Sequence, residues 1–146
     1  MLSTDQQAII QSSIERLTCS TRQLAATFYD HLFARAPQVR QMFPPQMSPQ
    51  VIKLEQTLVY VIGCMNDTET LFPILDELGE AHGGFGAEPA HYEAVGASLL
   101  DALADSIENW DDTQKAAWTA LYTMVAERMI AAGAPTLERN AAADEA

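Results

Sequence analysis

The chain has 146 residues, 48% of them apolar, with no shift in composition along its length, which suits one domain around a single core. Its 8 basic against 20 acidic residues give a formal charge of -12, which repels phosphate backbones and anionic lipid and speaks against nucleic acid or membrane as partners. The longest apolar stretch, Leu54 to Met65, is interrupted by Glu55 and Gln56 and is too short to span a bilayer. MLSTDQQAII has no basic region ahead of its apolar residues, so no secretory signal is visible and a cytoplasmic location is expected.

Apolar residues recur at three- and four-residue steps almost throughout, and strand-like alternation is scarce, so the chain reads as all-α with six to eight helices. The first helix is expected after Thr4, with Gln7 completing a capping box and Ile10, Ile14 and Leu17 on one face. A second begins near Ser20 and carries Leu24, Phe28, Leu32 and Phe33 toward Arg35. Pro37 opens a short helix that holds Val39 and ends near Phe43, where Pro44 and Pro45 force a corner. Ser48 and Pro49 are a cap and a first-turn proline for a helix bearing Val51, Leu54, Leu58 and Ile62.

Asn66, Asp67 and Thr68 close that helix and start the next, whose buried stripe runs Leu71, Leu75, Leu78, His82. After the glycines that follow His82, Glu88-Pro89 opens a helix carrying Tyr92, Val95, Leu99, Leu100 and Leu103. Asp111 and Gln114 stand in capping-box spacing before a last long helix with Trp118, Tyr122, Val125 and Met129 along one side. Gly133-Ala-Pro135 then reads as a stop, which leaves a domain over residues 1–133 and a disordered tail over 134–146.

Familiar catalytic motifs are missing: no phosphate loop, GxSxG elbow, HExxH helix or EF-hand loop. Cys19 and Cys64 have no metal-ligand or redox spacing and read as small, buried or half-buried thiols. Asp76, Glu77 and Glu80 read as a solvated face.

His82 is the remaining chemical candidate, on an apolar stripe just before Gly83-Gly84-Phe85-Gly86. A histidine there can be a satisfied core residue, a proton shuttle or a metal ligand. A haem iron needs only one strong imidazole in a mostly apolar slot, and the glycines would let the chain bend away and a flat ligand lie near backbone. Hydrogen-bond donors for a bound diatomic could come from Tyr29 in FYDHLF and Gln50 in SPQVIKLEQTL.

From about Thr4 to Ile130 the chain resembles the single-domain bacterial globins, which are similar to the globin module of flavohaemoglobins. The resembling segments are FYDHLF, Met42-Phe43 before the corner, SPQVIKLEQTL, LFPILDELGEAH, EPAHYEAVGASLL and AAWTALYTMVAERM, in that order and at matching spacing. The resemblance implies a globin fold, three-over-three helix packing and a haem b pocket. It implies that His82 is the proximal iron ligand, that Phe43 packs on the haem plane, and that Tyr29 and Gln50 are the distal donor pair.

Leu54 would face the ligand, and Lys53 would either reach a haem propionate or stay in solvent. Leu58, Leu75, Leu78, Leu99 and Leu103 would form apolar walls. His91 is expected to be exposed, and His31 lies on the face of its helix opposite Tyr29. Tyr92 matches a tyrosine that the family sets beside the proximal histidine. The accompanying glutamate has its place near Gly133, so that carboxylate is missing, and Glu127, a turn and a half earlier, is expected to be exposed.

The function implied is binding of O2, NO and related diatomics, with nitric oxide dioxygenation to nitrate as the reaction. No reductase follows the globin region, so an external electron donor or reductase is expected. Non-catalytic oxygen storage or transport, or gas sensing through a partner, are the alternatives. The expected assembly is a monomer or homodimer.

Overall fold

The computed structural model describes residues 1–145 and contains six α-helices and one short 3-10 helix. Helix α1 is Thr4–Glu15, α2 Thr21–Arg35, α3 Ser48–Cys64, α4 Thr68–Gly84, α5 Pro89–Ser106 and α6 Asp112–Glu145; the 3-10 turn is Pro37–Met42. No strand occurs among the described residues, where an isolated antiparallel bridge between Leu17 and Ile107 is the only extended pairing. No helix among them is long and apolar enough to cross a membrane.

Three starts follow the expected side-chain chemistry, whereas α3 does not: Ser48, expected as its cap, is its first helical residue, Met47 stands at the cap position, and no side chain caps that end. Ser20 Oγ accepts from the Gln23 amide at 3.0 Å, Asp67 Oδ1 from Thr70 at 3.3 Å, and Asp111 Oδ1 from Gln114 at 2.9 Å. The first capping box sits one residue earlier than expected: Ser3 Oγ accepts from Gln6 and Gln6 Oε1 accepts from the Ser3 amide at 2.9 Å. Thr4 and Gln7 have the same spacing, and the serine takes the cap. At α6 only half of the box forms, because the Gln114 amide turns away to donate to Asn109 O at 2.7 Å.

The core gathers the apolar faces of all six helices, with Ile10, Leu71, Leu75 and Leu103 fully enclosed. Trp118 Nε1 donates to Ser13 Oγ at 2.9 Å, which ties α6 to α1 where neither polar group can reach water. Helix α2 lies against α3 and α5, and α4 against α6. Surface pairs mark the same seams: Arg22 with Glu55, His31 with Asp105, Arg35 with Asp101, and Arg128 with Asp76.

The α4–α6 seam is the tightest. A Cβ placed on Gly79 would stand 2.3 Å from Met129 O, and one on Gly83 would stand 2.4 Å from Gly133 O. Backbone therefore touches backbone across this crossing, and only glycine permits it.

This finding corrects two expectations. Gly83 does not free the chain after His82: α4 continues to Gly84, and the release comes at Gly86, whose φ of 85° is the left-handed conformation. Nor does the chain stop at Gly133-Ala-Pro135. Helix α6 runs 34 residues to Glu145, about 50 Å at the standard rise, so residues 134–145 of the tail expected to be disordered continue the helix, and Ala146 lies outside the described residues. Gly133 is there because Gly79 O approaches within 2.4 Å of where its Cβ would be.

Candidate functional site

Tyr29 is the centre of one cluster. Helix α2 buries it to 6% exposure among Phe28, edge-on at 5.0 Å between centroids, Phe33, stacked at 5.8 Å, and Phe43, edge-on at 5.5 Å. Gln50, half-buried in the first turn of α3, donates from Nε2 to the Tyr29 hydroxyl at 3.2 Å. The phenol thus accepts from Gln50, and its own hydrogen meets no acceptor among the described residues. Burial pushes the Tyr29 pKa up, against a smaller lowering by the Gln50 hydrogen bond, so the phenol keeps its proton and remains a donor.

Both partners are held from outside. The start of α2 is tied to α3 by Thr21 Oγ1, which donates to Glu55 Oε2 at 2.6 Å, and by Arg22. Phe43 owes its position to Arg40, which donates to the carbonyls of Pro44 at 3.0 Å and Pro45 at 2.9 Å and so satisfies a corner short of amide donors. Arg40 also lies over the Phe33 ring at 5.2 Å. The role of Phe33 in walling Tyr29 went unread in the sequence, although the four-residue spacing between them places both on one helix face.

His82 belongs to a second cluster. Its Nδ1 lies 2.7 Å from Leu78 O, and because a carbonyl only accepts, Nδ1 carries the hydrogen. The neutral ring then keeps its lone pair on Nε2, which has no partner among the described residues. Tyr92 stands nearby with ring centroids 6.4 Å apart and a tilt of 42°. Tyr122 donates to the Tyr92 carbonyl at 2.6 Å and fixes the start of α5 against α6.

The stripe leading to His82 is not buried throughout. Leu71 and Leu75 are fully enclosed, Leu78 is half-buried and His82 is exposed, so the α4 face passes from core into accessible wall. No hydrogen bond or ring contact joins the Tyr29 cluster to the His82 cluster among the described residues.

The remaining candidates divide clearly. Leu54 and Leu58 are half-buried against the core, while Leu99 at 8% and Leu103 at 0% exposure are enclosed. The Lys53 side chain is in solvent without an ionic or hydrogen-bond partner among the described residues. His31 Nε2 is 2.6 Å from Asp105 Oδ2 across the α2–α5 seam. His91, expected to be exposed, is half-buried because its Nδ1 accepts from the Glu88 amide at 2.8 Å as part of the α5 start. Glu127 is exposed, as expected.

The donor set fits a haem. One imidazole keeps its Nε2 without a partner among the described residues, and a buried phenol holds an uncommitted hydrogen. No group of three or more metal-ligating side chains is present among the described residues to offer a different metal centre.

Comparison with known proteins places the fold and the family. Residues 26–129 match the globin family model. The chain is 28% identical over 137 residues to a flavohemoprotein of Deinococcus radiodurans, covering 89% of this chain and 33% of that protein. It is also 26% identical to a Vibrio cholerae flavohemoprotein, covering 97% and 37% respectively. The chain thus spans about a third of the length of these relatives.

Among solved structures, a bacterial globin from Campylobacter jejuni superposes with a TM-score of 0.80 at 24% identity, over 93% of this chain and 99% of that one. A carbene transferase engineered from a proposed nitric oxide dioxygenase of Rhodothermus marinus gives 0.82 at 22% identity, over 97% and 99%. The expected all-α globin fold is therefore the observed one, and the chain belongs to the globin family.

Proposed function

We propose that the chain binds haem b through Nε2 of His82, holds a diatomic ligand beneath Tyr29 and Gln50, and converts nitric oxide and dioxygen to nitrate with an external electron donor. The observation that carries this reading is the Gln50–Tyr29 hydrogen bond, which leaves a protonated, buried phenol with its hydrogen unspent. When bound, haem would supply an iron able to take up a diatomic and to change between ferrous and ferric states.

The rest is the work of side chains. The Leu78 carbonyl holds the His82 ring in the tautomer that offers Nε2. Tyr29 would donate its free hydrogen to a bound diatomic that gains negative charge, and Gln50 fixes where the phenol oxygen sits. Leu54, Leu78 and Leu99 would keep water from the bound group, Phe43 would pack against it, and the exposed Lys53 would be free to meet one of its carboxylates. The balanced change is NO plus O2 plus one electron to nitrate. Flavohemoproteins among the relatives and the Rhodothermus marinus neighbour support this choice of reaction.

Mixing the oxygenated ferrous protein with nitric oxide in a stopped-flow spectrometer tests the reaction. The oxygenated spectrum is expected to collapse to the ferric one with stoichiometric nitrate; its retention would overturn the dioxygenation. Reversible oxygen storage or delivery is the second reading, and the glycine crossing favours it. Gly133, with Gly79 O 2.4 Å from its Cβ position, leaves no room for a carboxylate side chain, so among the described residues only the neutral Leu78 carbonyl meets the His82 ring by a hydrogen bond. Nitrate accumulation under continuous reduction separates the two.

A further inference from the structure

Helix α6 continues well past the point where it packs against the core, and its extension meets the part of the molecule that carries His82. Pro135 has no amide hydrogen, so the helix loses a bond there and is intrinsically weak. Packing onto the last turn of α4 and the first turn of α5 compensates for that weakness.

Three contacts define this docking. Asn140 Nδ2 donates to Gly84 O at 3.4 Å, capping one of the carbonyls that the end of α4 leaves open. Thr136 lies alongside Gly84, with its methyl 3.9 Å from where a Cβ would stand. Leu137 closes a cavity of about 40 Å³ shared with Gly83, Tyr92, Ile130 and Gly133. His82 is therefore followed directly by a residue pressed on α6, and its ring neighbour Tyr92 lines the same cavity as Leu137.

We propose that the α6 extension from Pro135 to Asn140 is a brace that positions the His82 ring, with Leu137 and Asn140 as its positioning residues. The inference rests on the reading of His82 as the haem ligand. With the extension docked, the α4 end and Tyr92 cannot move independently, and the direction of Nε2 is set from behind. With it loosened, the ring gains freedom while the Gly79 crossing still holds α4 to α6.

The experiment uses the full-length, haem-loaded protein and the variants Leu137→Ala, Asn140→Asp, Glu138→Ala, Ile10→Val and His82→Gly. Three quantities are measured: haem transfer to an excess of acceptor apoglobin, the iron–histidine stretching band of the ferrous ligand-free form, and Tm. Leu137→Ala is expected to lose haem about fivefold faster or more, the factor that 1 kcal/mol gives, and to shift or broaden the band. Asn140→Asp, which cannot donate to Gly84 O, moves both in the same direction by less. Glu138→Ala, at an exposed position on the same turn, changes neither. Ile10→Val lowers Tm in the remote core without moving the band.

Wild-type haem loss and an unmoved band in both Leu137→Ala and Asn140→Asp would overturn the brace and leave the role of His82 intact. So would an equal band shift in Ile10→Val, which would assign the effect to general loosening. A band that survives in His82→Gly would remove the axial role itself, and the brace with it.

Discussion

Gly79→Ala is expected to destabilise the fold by ~3 kcal/mol, the upper end of the ordinary cost of overpacking. The new methyl would stand 2.3 Å from Met129 O, 2.6 Å from its Cα and 2.8 Å from its carbonyl carbon, and backbone atoms cannot rotate out of the way. Either α4 and α6 separate, opening the core along their seam, or the helix distorts between Leu78 and His82. For a domain of this size the loss corresponds to a fall in Tm of roughly 6 to 12 °C. Gly63→Ala is the matched control: nothing lies within 4 Å of its Cβ position in α3, so it is expected to stabilise by about 0.5 to 1 kcal/mol. Thermal denaturation of both variants reads the difference, and equal Tm values would remove the backbone contact as an explanation for the glycines.

Tyr29→Phe is expected to accelerate oxygen dissociation by about ten- to a hundredfold. That is the factor carried by roughly 1.5 to 3 kcal/mol for one hydrogen bond to a charged acceptor. The substitution keeps the ring between Phe28, Phe33 and Phe43 and removes the hydroxyl alone, so packing is preserved. Gln50 then loses its partner as well and can turn toward the ligand, which limits the loss. The phenol pKa is raised above its ordinary value of 10.0, so wild-type dissociation is expected to be flat with pH up to about 10 and to quicken only above it. Flash photolysis or ligand-replacement kinetics measures both, and an unchanged rate in the variant would rule out Tyr29 as the main donor.

Much of this was legible in the chain because local chemistry and tertiary packing agree. Ser20, Asp67 and Asp111 stand ahead of apolar periodicity and do cap their helices. Tyr29 and Gln50 were candidates as isolated donors, and the fold brings them to 3.2 Å. Where the reading failed, the meaning of a residue depended on a partner far away in sequence. Gly83 and Gly133 look like helix punctuation when only their neighbours are considered, yet each is dictated by a helix some fifty residues distant. Pro135 weakens α6 locally, and contacts of Thr136, Leu137 and Asn140 with the α4 end carry the helix past it. The stripe that seemed to bury His82 follows helical spacing correctly but says nothing of where the core ends, which is between Leu75 and Leu78.

The absorption spectrum of the haem-reconstituted protein, compared with that of His82→Gly and with that variant plus free imidazole, tests the central claim most directly. A Soret band is expected in the wild type and is lost or displaced in His82→Gly. Imidazole in solution is expected to restore it, because the ligand removed from α4 is then supplied without its tether. An unaltered Soret band in His82→Gly without imidazole would contradict the assignment of Nε2 of His82 as the haem ligand.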